Sequence, residues 1–279
     1  MQEQKLYTDL NEALREPLQV TLLDLRYKDL EELPEDIGEM KNLKRLNLFG
    51  NELEELPDRI GALENLEWLD LQKNHLDYLP ESLFKLQKIE YLNLYDNELT
   101  YISEGLGKLN NLVWLYLKRN NLQGLPDCIT NLAKLEYFGA DFNSISRLPA
   151  NFGKLTSLQY LCLADNEIED LPDSFFELTN LNWLSIAGNK LSSLPENIGN
   201  LKKLEKFDIQ KNTITKLPES IGNLERLEYY VVNDNKLNQL PQSFSKLSQL
   251  KYLNLHGNSF SDDGINKIKL LFPNIEIDF

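Results

Sequence analysis

An asparagine recurs at a constant interval through most of this chain. The positions follow one another by 23 residues without insertion or deletion: Asn51, Asn74, Asn97, Asn120, Asn143, Asn166, Asn189, Asn212, Asn235 and Asn258. Around each asparagine the chain keeps the frame LxxLxLxxNxLxxLPxxIxxL. An earlier copy begins at Val20 and has Lys28 at the asparagine position, which gives eleven copies. A fixed period of this length predicts a stack of similar units rather than one ordinary globular core.

The frame itself predicts the structure of each copy. In LxL, alternation with period two sends both leucines to one face, as in a short strand. The asparagine amide can donate to and accept from backbone groups at the buried turn where the chain leaves that strand. Leu-Pro begins a return leg, because proline cannot continue a central strand, and IxxL suits a short helical or 3-10 turn. Since one coil cannot bury its leucines alone, the coils must stack into a solenoid with a shared apolar interior.

This frame resembles the leucine-rich repeat family, in particular the 23-residue class with LPxxIGxL on the return leg that bacterial members contain. The match covers residues 20–260, with ten phased asparagines and nine Leu-Pro pairs. The resemblance implies an α/β fold, a right-handed horseshoe with a parallel sheet on its concave side and short helical or 3-10 segments on its convex side. We expect local irregularity where the frame is broken, at Lys28, at Ile102-Ser103 in place of Leu-Pro, and at Ala140 in place of a core leucine.

The two ends of the chain depart from the repeat and are predicted to cap it. An uncapped end coil would expose its leucines to water. We therefore expect one continuous domain, with an N-terminal helical cap over 1–19, eleven repeats over 20–260 and a C-terminal helix-strand cap over 261–279.

Each cap is predicted to contain one helix. Thr8 or Asp9 can begin the N-terminal helix, because short polar side chains accept hydrogen bonds from the free N–H groups of a first turn. Asp262 or Asp263 can begin the C-terminal helix in the same way. A last strand should follow that helix.

Charge and hydropathy restrict the partners and the location. With 29 basic and 44 acidic side chains, the net charge of −15 repels phosphate backbones and anionic lipids. We therefore expect no nucleic-acid partner and no membrane insertion. The sequence contains no apolar run of membrane-spanning length and opens without a signal-peptide core, which predicts a cytoplasmic protein. The alternative is an exported or cell-surface protein from which a signal peptide has been removed.

The sequence does not predict an enzyme. The strand residue Cys162 lies four coils from His256, about 19 Å at a strand spacing of about 4.8 Å, so the two cannot act as nucleophile and base. The other histidine, His75, has no such neighbour, and no Gly-rich phosphate loop or cluster of Cys and His ligands occurs. We expect no metal and no cofactor. Cys128 lies on a return leg and Cys162 on a strand, so we expect no disulfide.

The position just before LxL is aromatic in eight of the eleven copies, and we call it the aromatic column. It contains all three tryptophans of the chain and none of its twelve phenylalanines, which suits a wet surface better than a core. The candidate partner-binding residues are Trp68, Tyr91, Trp114, Tyr137, Tyr160 and Trp183 of this column, with Tyr116 beside them inside LxL. Small neighbours at Gly139, Cys162 and Ser185 predict a hollow there. Glutamates one position before the rings, such as Glu67 and Glu90, favour a partner with basic groups.

Two functions remain open, and so does a structural explanation of the rings. The favoured function is a monomeric scaffold for protein–protein interaction that binds another protein on the aromatic-lined concave face. The alternative is carbohydrate or surface-polymer binding by an exported bacterial protein, because aromatic rings also stack on sugars. The rings also fit sheet support, since in-register aromatic residues stack between neighbouring strands.

Overall fold

The computed structural model describes residues 5–279, so the first four residues of the predicted 1–19 cap lie outside the described residues. The chain divides into two compact units, Met1–Asn143 and Ser144–Phe279, which we call the first and second units. The single-domain organisation and the cap boundaries stay predictions.

Short parallel strands form the sheet in each unit. In the first unit β1 (Leu6–Tyr7) pairs with the strand of the first repeat copy, and in the second unit β13 (Glu276–Asp278) pairs with the strand of the last copy. Each copy contributes one strand of three residues: β2 (Leu22–Asp24), β3 (Arg45–Asn47), β4 (Trp68–Asp70), β5 (Tyr91–Asn93), β6 (Trp114–Tyr116), β7 (Tyr137–Gly139), β8 (Tyr160–Cys162), β9 (Trp183–Ser185), β10 (Lys206–Asp208), β11 (Tyr229–Val231) and β12 (Tyr252–Asn254). The middle residue of each of these eleven repeat strands is buried, because alternation turns it towards the interior.

A 3-10 turn forms the return leg between successive repeat strands. The turns are Glu35–Glu39, Asp58–Ala62, Glu81–Lys85, Glu104–Lys108, Asp127–Asn131, Phe152–Lys154, Asp173–Glu177, Glu196–Asn200, Glu219–Asn223 and Gln242–Lys246. The parallel sheet and the 3-10 turns confirm the predicted fold class. The turn after Ile102-Ser103 is as long as most others, because Ser103 replaces the proline as a cap and its hydroxyl oxygen accepts from Gly105 N at 3.0 Å. The irregularity expected there does not occur.

The recurring asparagines connect adjacent coils through buried hydrogen bonds. Asn120 Nδ2 donates to Leu117 O of its own coil at 3.0 Å and to Leu94 O of the preceding coil at 2.9 Å. Asn120 Oδ1 accepts from Leu99 N at 3.0 Å. One amide thus pairs three backbone groups that would otherwise be buried without partners. We call these residues the asparagine ladder.

Glutamates on the return legs cap the turn of the following coil. Glu219 Oε1 and Oε2 accept from Gln242 N at 3.1 Å and Ser243 N at 2.9 Å. Glu35 makes the equivalent pair of bonds to Asp58 N and Arg59 N. A carboxylate at the first turn of a helical segment meets free N–H groups and the positive end of the peptide dipoles. These acids therefore contribute to stacking between coils.

The described ends contain the expected helices and one strand that the sequence did not predict. Asp9 caps α1 (Leu10–Arg15) by accepting from Glu12 N at 2.8 Å. At the other end α2 (Asp262–Leu271) is capped by Ser261, which accepts from Gly264 N at 3.2 Å. The expectation of an aspartate cap at Asp262 or Asp263 was wrong by one or two residues, because the serine hydroxyl already reaches the first turn. Within residues 5–279, the helices are too short or too polar to cross a membrane.

Candidate partner-binding surface

The aromatic column lies on the outer sheet face, the face that points away from the leucine interior. Parallel register places its first-unit members side by side: Trp68 pairs with Tyr91, Tyr91 with Trp114, and Trp114 with Tyr137. Each ring is half-buried by its neighbours. Strand alternation requires this placement, because the next residue in each strand is an interior leucine or phenylalanine.

The first-unit rings stack along the sheet rather than lying flat on it. The Trp68 and Tyr91 centroids are 4.9 Å apart with planes 12° from parallel, and the Arg45 guanidinium lies 4.8 Å from the Trp68 ring. Arg45 and Tyr91 are on opposite sides of Trp68 in the column, so both faces of the indole are covered. Trp114 and Tyr137 stack at 5.6 Å and 20°. At Trp68 the surface open to a partner is therefore the ring edge.

Tyr116 joins this cluster from inside LxL. Its centroid lies 5.8 Å from that of Tyr91, with the planes tilted by 57°. Burial, with Asp70 and Tyr116 nearby, raises the pKa of Tyr91 to about 12. Burial also raises the pKa of the Asp70 carboxyl, although Gln72 N donates to that group at 2.9 Å. At neutral pH Tyr91 thus keeps its hydroxyl proton and can donate a hydrogen bond.

A hollow of about 540 Å³ opens on the outer sheet face of the first unit. Arg26 and Arg45 line it together with Phe49, Trp68 and Asp70. Sequence analysis did not find this hollow, because it searched for small residues beside rings, whereas this one is formed between long side chains.

At Gly139 of the predicted hollow, a Cβ would lie 3.5 Å from the nearest Tyr116 ring atom, which is ordinary contact. An alanine could therefore occupy this position without displacing the ring. The hollow predicted from Gly139, Cys162 and Ser185 stays a prediction.

The second unit contains the remaining candidate residues, Tyr160 and Trp183. Their rings meet edge to face at 6.1 Å and 82°. Trp183 is 42% exposed and Tyr229 of the same column 40% exposed, with Lys206 Nζ 5.3 Å from the Tyr229 ring. Trp68, Tyr91, Trp114, Tyr116 and Tyr137 form one cluster in the first unit, and Tyr160 and Trp183 form a pair in the second.

Part of the negative charge beside the column is neutralised. Lys44 pairs with Glu67 at 3.1 Å, and Lys251 pairs with Glu228 at 2.7 Å. Within residues 5–279, Glu90 and Glu136 have no ion pair. These two carboxylates, together with Glu205, which precedes the column residue Lys206 in the second unit, therefore remain available to basic groups.

Sequence analysis missed a set of rings and cations at the other end of the strands. It lies at the two positions between the second leucine of LxL and the ladder asparagine, and it comprises Phe49, Lys73, Tyr95, Lys118, Arg119 and Phe142. One feature of the sequence could have predicted this set of rings and cations. Where Gly50, Gly188 and Gly257 precede a ladder asparagine, other copies have large residues such as Arg119 and Phe142 at the same position.

Comparison with known proteins identifies the repeat. A family model described as "Leucine-rich repeat region" matches residues 11–122 and 127–213, and one described as "Leucine rich repeat" matches residues 202–260. The chain belongs to the leucine-rich repeat family. Among curated proteins no match was found.

Solved leucine-rich repeat structures are similar along most of this chain. A leucine-rich repeat protein of Leptospira interrogans is 26% identical, with a TM-score of 0.66 over 99% of this chain and 100% of that one. The ectodomain of the membrane receptor kinase GASSHO1/SCHENGEN3 from Arabidopsis thaliana, in complex with Casparian strip integrity factor 2, is 32% identical, with a TM-score of 0.76 over 82% of this chain and 29% of that one. The plant peptide hormone receptor RGFR1, in complex with RGF2, is 31% identical, with a TM-score of 0.76 over 88% and 41%.

The surroundings of the Cys128 thiol and the His75 imidazole in this leucine-rich repeat protein do not favour catalysis. Burial and a hydrogen bond with Glu104 raise the pKa of the Cys128 thiol to about 11, so it is protonated at neutral pH and a poor nucleophile. His75 Nδ1 lies 3.0 Å from Glu98 Oε1 at an exposed site. The described part of the chain contains no group of His, Cys, Asp and Glu suited to a metal ion.

Proposed function

We propose that this leucine-rich repeat protein is a non-enzymatic module that binds another protein through the aromatic column of its first unit. The observation that carries the proposal is the cluster of half-buried rings on the outer sheet face. The contacting residues are Trp68, Tyr91, Trp114, Tyr116 and Tyr137. Trp and Tyr present a large rigid surface with a polar atom at its edge, and they are enriched among residues that dominate binding energy.

The solved relatives support a binding role. Two plant receptors of this fold, the GASSHO1/SCHENGEN3 ectodomain and RGFR1, are described in complex with Casparian strip integrity factor 2 and with RGF2. In this chain, Trp68 and Trp114 lie on the outer sheet face, where packing of the interior does not require a large apolar side chain. We propose that basic groups of the partner meet Glu90 and Glu136.

Ring geometry favours a protein over a carbohydrate as the partner. A sugar stacks on an open aromatic face, but Arg45 and Tyr91 cover the two faces of Trp68. Ring edges and the protonated Tyr91 hydroxyl are suited to binding a polypeptide, because a polypeptide offers both apolar side chains and carbonyl acceptors.

A crosslinking pull-down from the host tests this proposal. The unaltered protein and the variants Trp114→Ala and Tyr101→Ala are used as bait. Tyr101 is a matched control, because it is 59% exposed but lies outside the aromatic column. We expect one partner protein to be captured by the unaltered protein and by Tyr101→Ala, and to be lost with Trp114→Ala.

Capture that survives the Trp114 change would contradict the proposed site. Binding to a glycan array with no captured protein would favour the carbohydrate alternative. The monomeric state and the cytoplasmic location stay predictions, which light scattering and cell fractionation test.

A further inference from the structure

The hollow on the outer sheet face of the first unit has an aliphatic wall. Its volume is about 540 Å³, and Leu6 and Leu22 line it together with Arg45 and Trp68. Parallel register places these four residues in one row, because each pairs with the next across β1 to β4. This row continues the aromatic column towards β1. We call the cavity the Leu6 hollow.

The Leu6 side chain is exposed on the outer sheet face. Leu6 is 54% exposed, whereas Tyr7, which alternation turns into the interior, is 2% exposed. Leu22 beside it is half-buried. A single exposed leucine is common on folded proteins, but two in register that border a cavity form a continuous apolar surface. Such a surface favours binding of an apolar group that covers it.

Most charged groups around the Leu6 hollow are already paired within the fold. Arg26 Nε lies 2.9 Å from Asp24 Oδ1, and Arg26 Nη2 lies 2.8 Å from Asp24 Oδ2. The buried Asp70 carboxylate accepts from Gln72 N at 2.9 Å. The lining contains two arginines and two aspartates, so its formal charges cancel. The Leu6 hollow therefore favours an uncharged occupant.

Arg45 supplies hydrogen-bond donors at the rim of the Leu6 hollow. Its guanidinium is stacked on the Trp68 ring at 4.8 Å, and within residues 5–279 it has no carboxylate at ion-pair distance. A guanidinium stacked on a ring keeps its in-plane N–H donors. In a polypeptide, the uncharged acceptors beside every apolar side chain are the main-chain carbonyls.

We infer that the Leu6 hollow binds an apolar side chain of the partner protein, while Arg45 donates to a main-chain carbonyl of the same segment. This inference rests on the proposed function and extends the contact surface beyond Trp68. Since Trp68 belongs to both the aromatic column and the hollow, a partner that covers the column reaches the hollow. Trp114 and Leu22 are four strand spacings apart, about 19 Å, which about six residues of extended chain span.

The uncharged dye N-phenyl-1-naphthylamine, whose fluorescence rises in apolar surroundings, is the probe. We expect it to bind the unaltered protein and to bind Leu6→Ser about fivefold more weakly, because about half of the leucine surface is open for a ligand to cover. Leu18→Ser is the matched control, since Leu18 is 58% exposed in the first unit but does not line the hollow. This control should bind the dye as the unaltered protein does.

Methyl NMR spectra of the unaltered protein locate the dye without any substitution. We expect the dye to shift the methyl signals of Leu6 and Leu22 and to leave that of Leu18 in place. This measurement is decisive even if Leu6→Ser loosens β1. Addition of the captured partner should then displace the dye, because both occupy the Leu6 hollow.

Equal dye affinity of Leu6→Ser and the unaltered protein would overturn the inference, and so would methyl shifts that avoid Leu6 and Leu22. If Trp114→Ala loses the partner and the partner leaves the dye in place, the proposed function stands and this inference fails. If Trp114→Ala keeps the partner, the proposed site fails, whatever the dye shows.

Two other occupants of the Leu6 hollow would give different results. Tighter dye binding by a chain that lacks residues 1–4 would mean that the chain's own N-terminus competes for the hollow. Dye affinity that falls as the protein concentration rises would mean that a second copy of the chain covers it. Either result would overturn the inference.

Discussion

The asparagine ladder and the outer sheet face are built on the same repeat. The ladder residue is nearly constant from copy to copy, whereas the residues of the outer face change. Ten of the eleven copies have asparagine at the ladder position, whereas the column position changes from Arg45 to Trp68, Tyr91 and Lys206. The ladder must repeat, because every coil has the same backbone groups to pair. The outer face is freer to vary, since its side chains lie outside the leucine interior and contact only one another, solvent or a partner. The variation along the aromatic column is therefore not required by the stacking of the coils.

The largest expected effect is on stability and tests the ladder side of the comparison. Asn120→Ala removes three buried hydrogen bonds and leaves their backbone partners unpaired, so we expect the free energy of unfolding to fall by about 3 kcal/mol. Asn121→Ala is the control, because its exposed amide makes one bond of 3.3 Å to Glu98 O. We expect that variant to lose less than about 0.5 kcal/mol. Equal losses in urea denaturation would mean that the ladder is not what joins the coils.

A smaller effect, a gain in stability, is expected from a substitution in the interior of the second unit. Tyr230 replaces an interior leucine, stacks on Phe207 at 5.4 Å, and has a fully buried hydroxyl with no hydrogen-bond partner among the described residues. Tyr230→Phe keeps the packing and removes the unpaired polar group, so we expect a gain of about 1 kcal/mol. Differential scanning calorimetry measures it. A loss of stability would indicate that the hydroxyl is hydrogen-bonded in the folded protein.

The smallest effect concerns pH and the return-leg glutamates. Hydrogen bonds from Ser243, backbone first, lower the pKa of the Glu219 carboxyl. A depressed pKa in the folded state stabilises the protein above the unfolded pKa, and this contribution disappears as pH falls through the folded pKa. The difference in unfolding free energy between the unaltered protein and Glu219→Gln should therefore shrink as pH falls below about 4.5. Glu225→Gln, at an exposed position, should show no such trend, and a difference independent of pH would refute this explanation.

Sequence periodicity was sufficient to predict the strands and the ladder. A strand follows each LxL because alternation and the need to bury leucine leave no other arrangement. The two-residue β1 was missed, since Leu6–Tyr7 belongs to no repeat and forms a strand only by pairing with β2. The Ser261 cap was missed because three adjacent polar residues can each begin α2, and geometry alone chooses among them.

The candidate site was only partly predictable. Alternation places Trp68 and Tyr91 on the outer face. It does not show that their ring planes lie 12° from parallel, which leaves the stacked ring faces inaccessible to a sugar. The direction of Lys73 and Arg119 depends on a left-handed backbone after the strand ends, where period two no longer applies. Sequence analysis therefore found the column and missed the rings and cations that follow the strands.

The measurement that tests the central claim most directly is the affinity of Trp114→Ala for the captured partner, made together with its melting temperature. We expect binding to weaken by about thirtyfold, as for truncation of a buried aromatic anchor that costs about 2 kcal/mol. Loss of stacking on Tyr137 should cost about 1 kcal/mol, or roughly 2–4 °C in melting temperature. Normal affinity combined with a larger fall in melting temperature would show that the aromatic column supports the sheet and does not bind the partner.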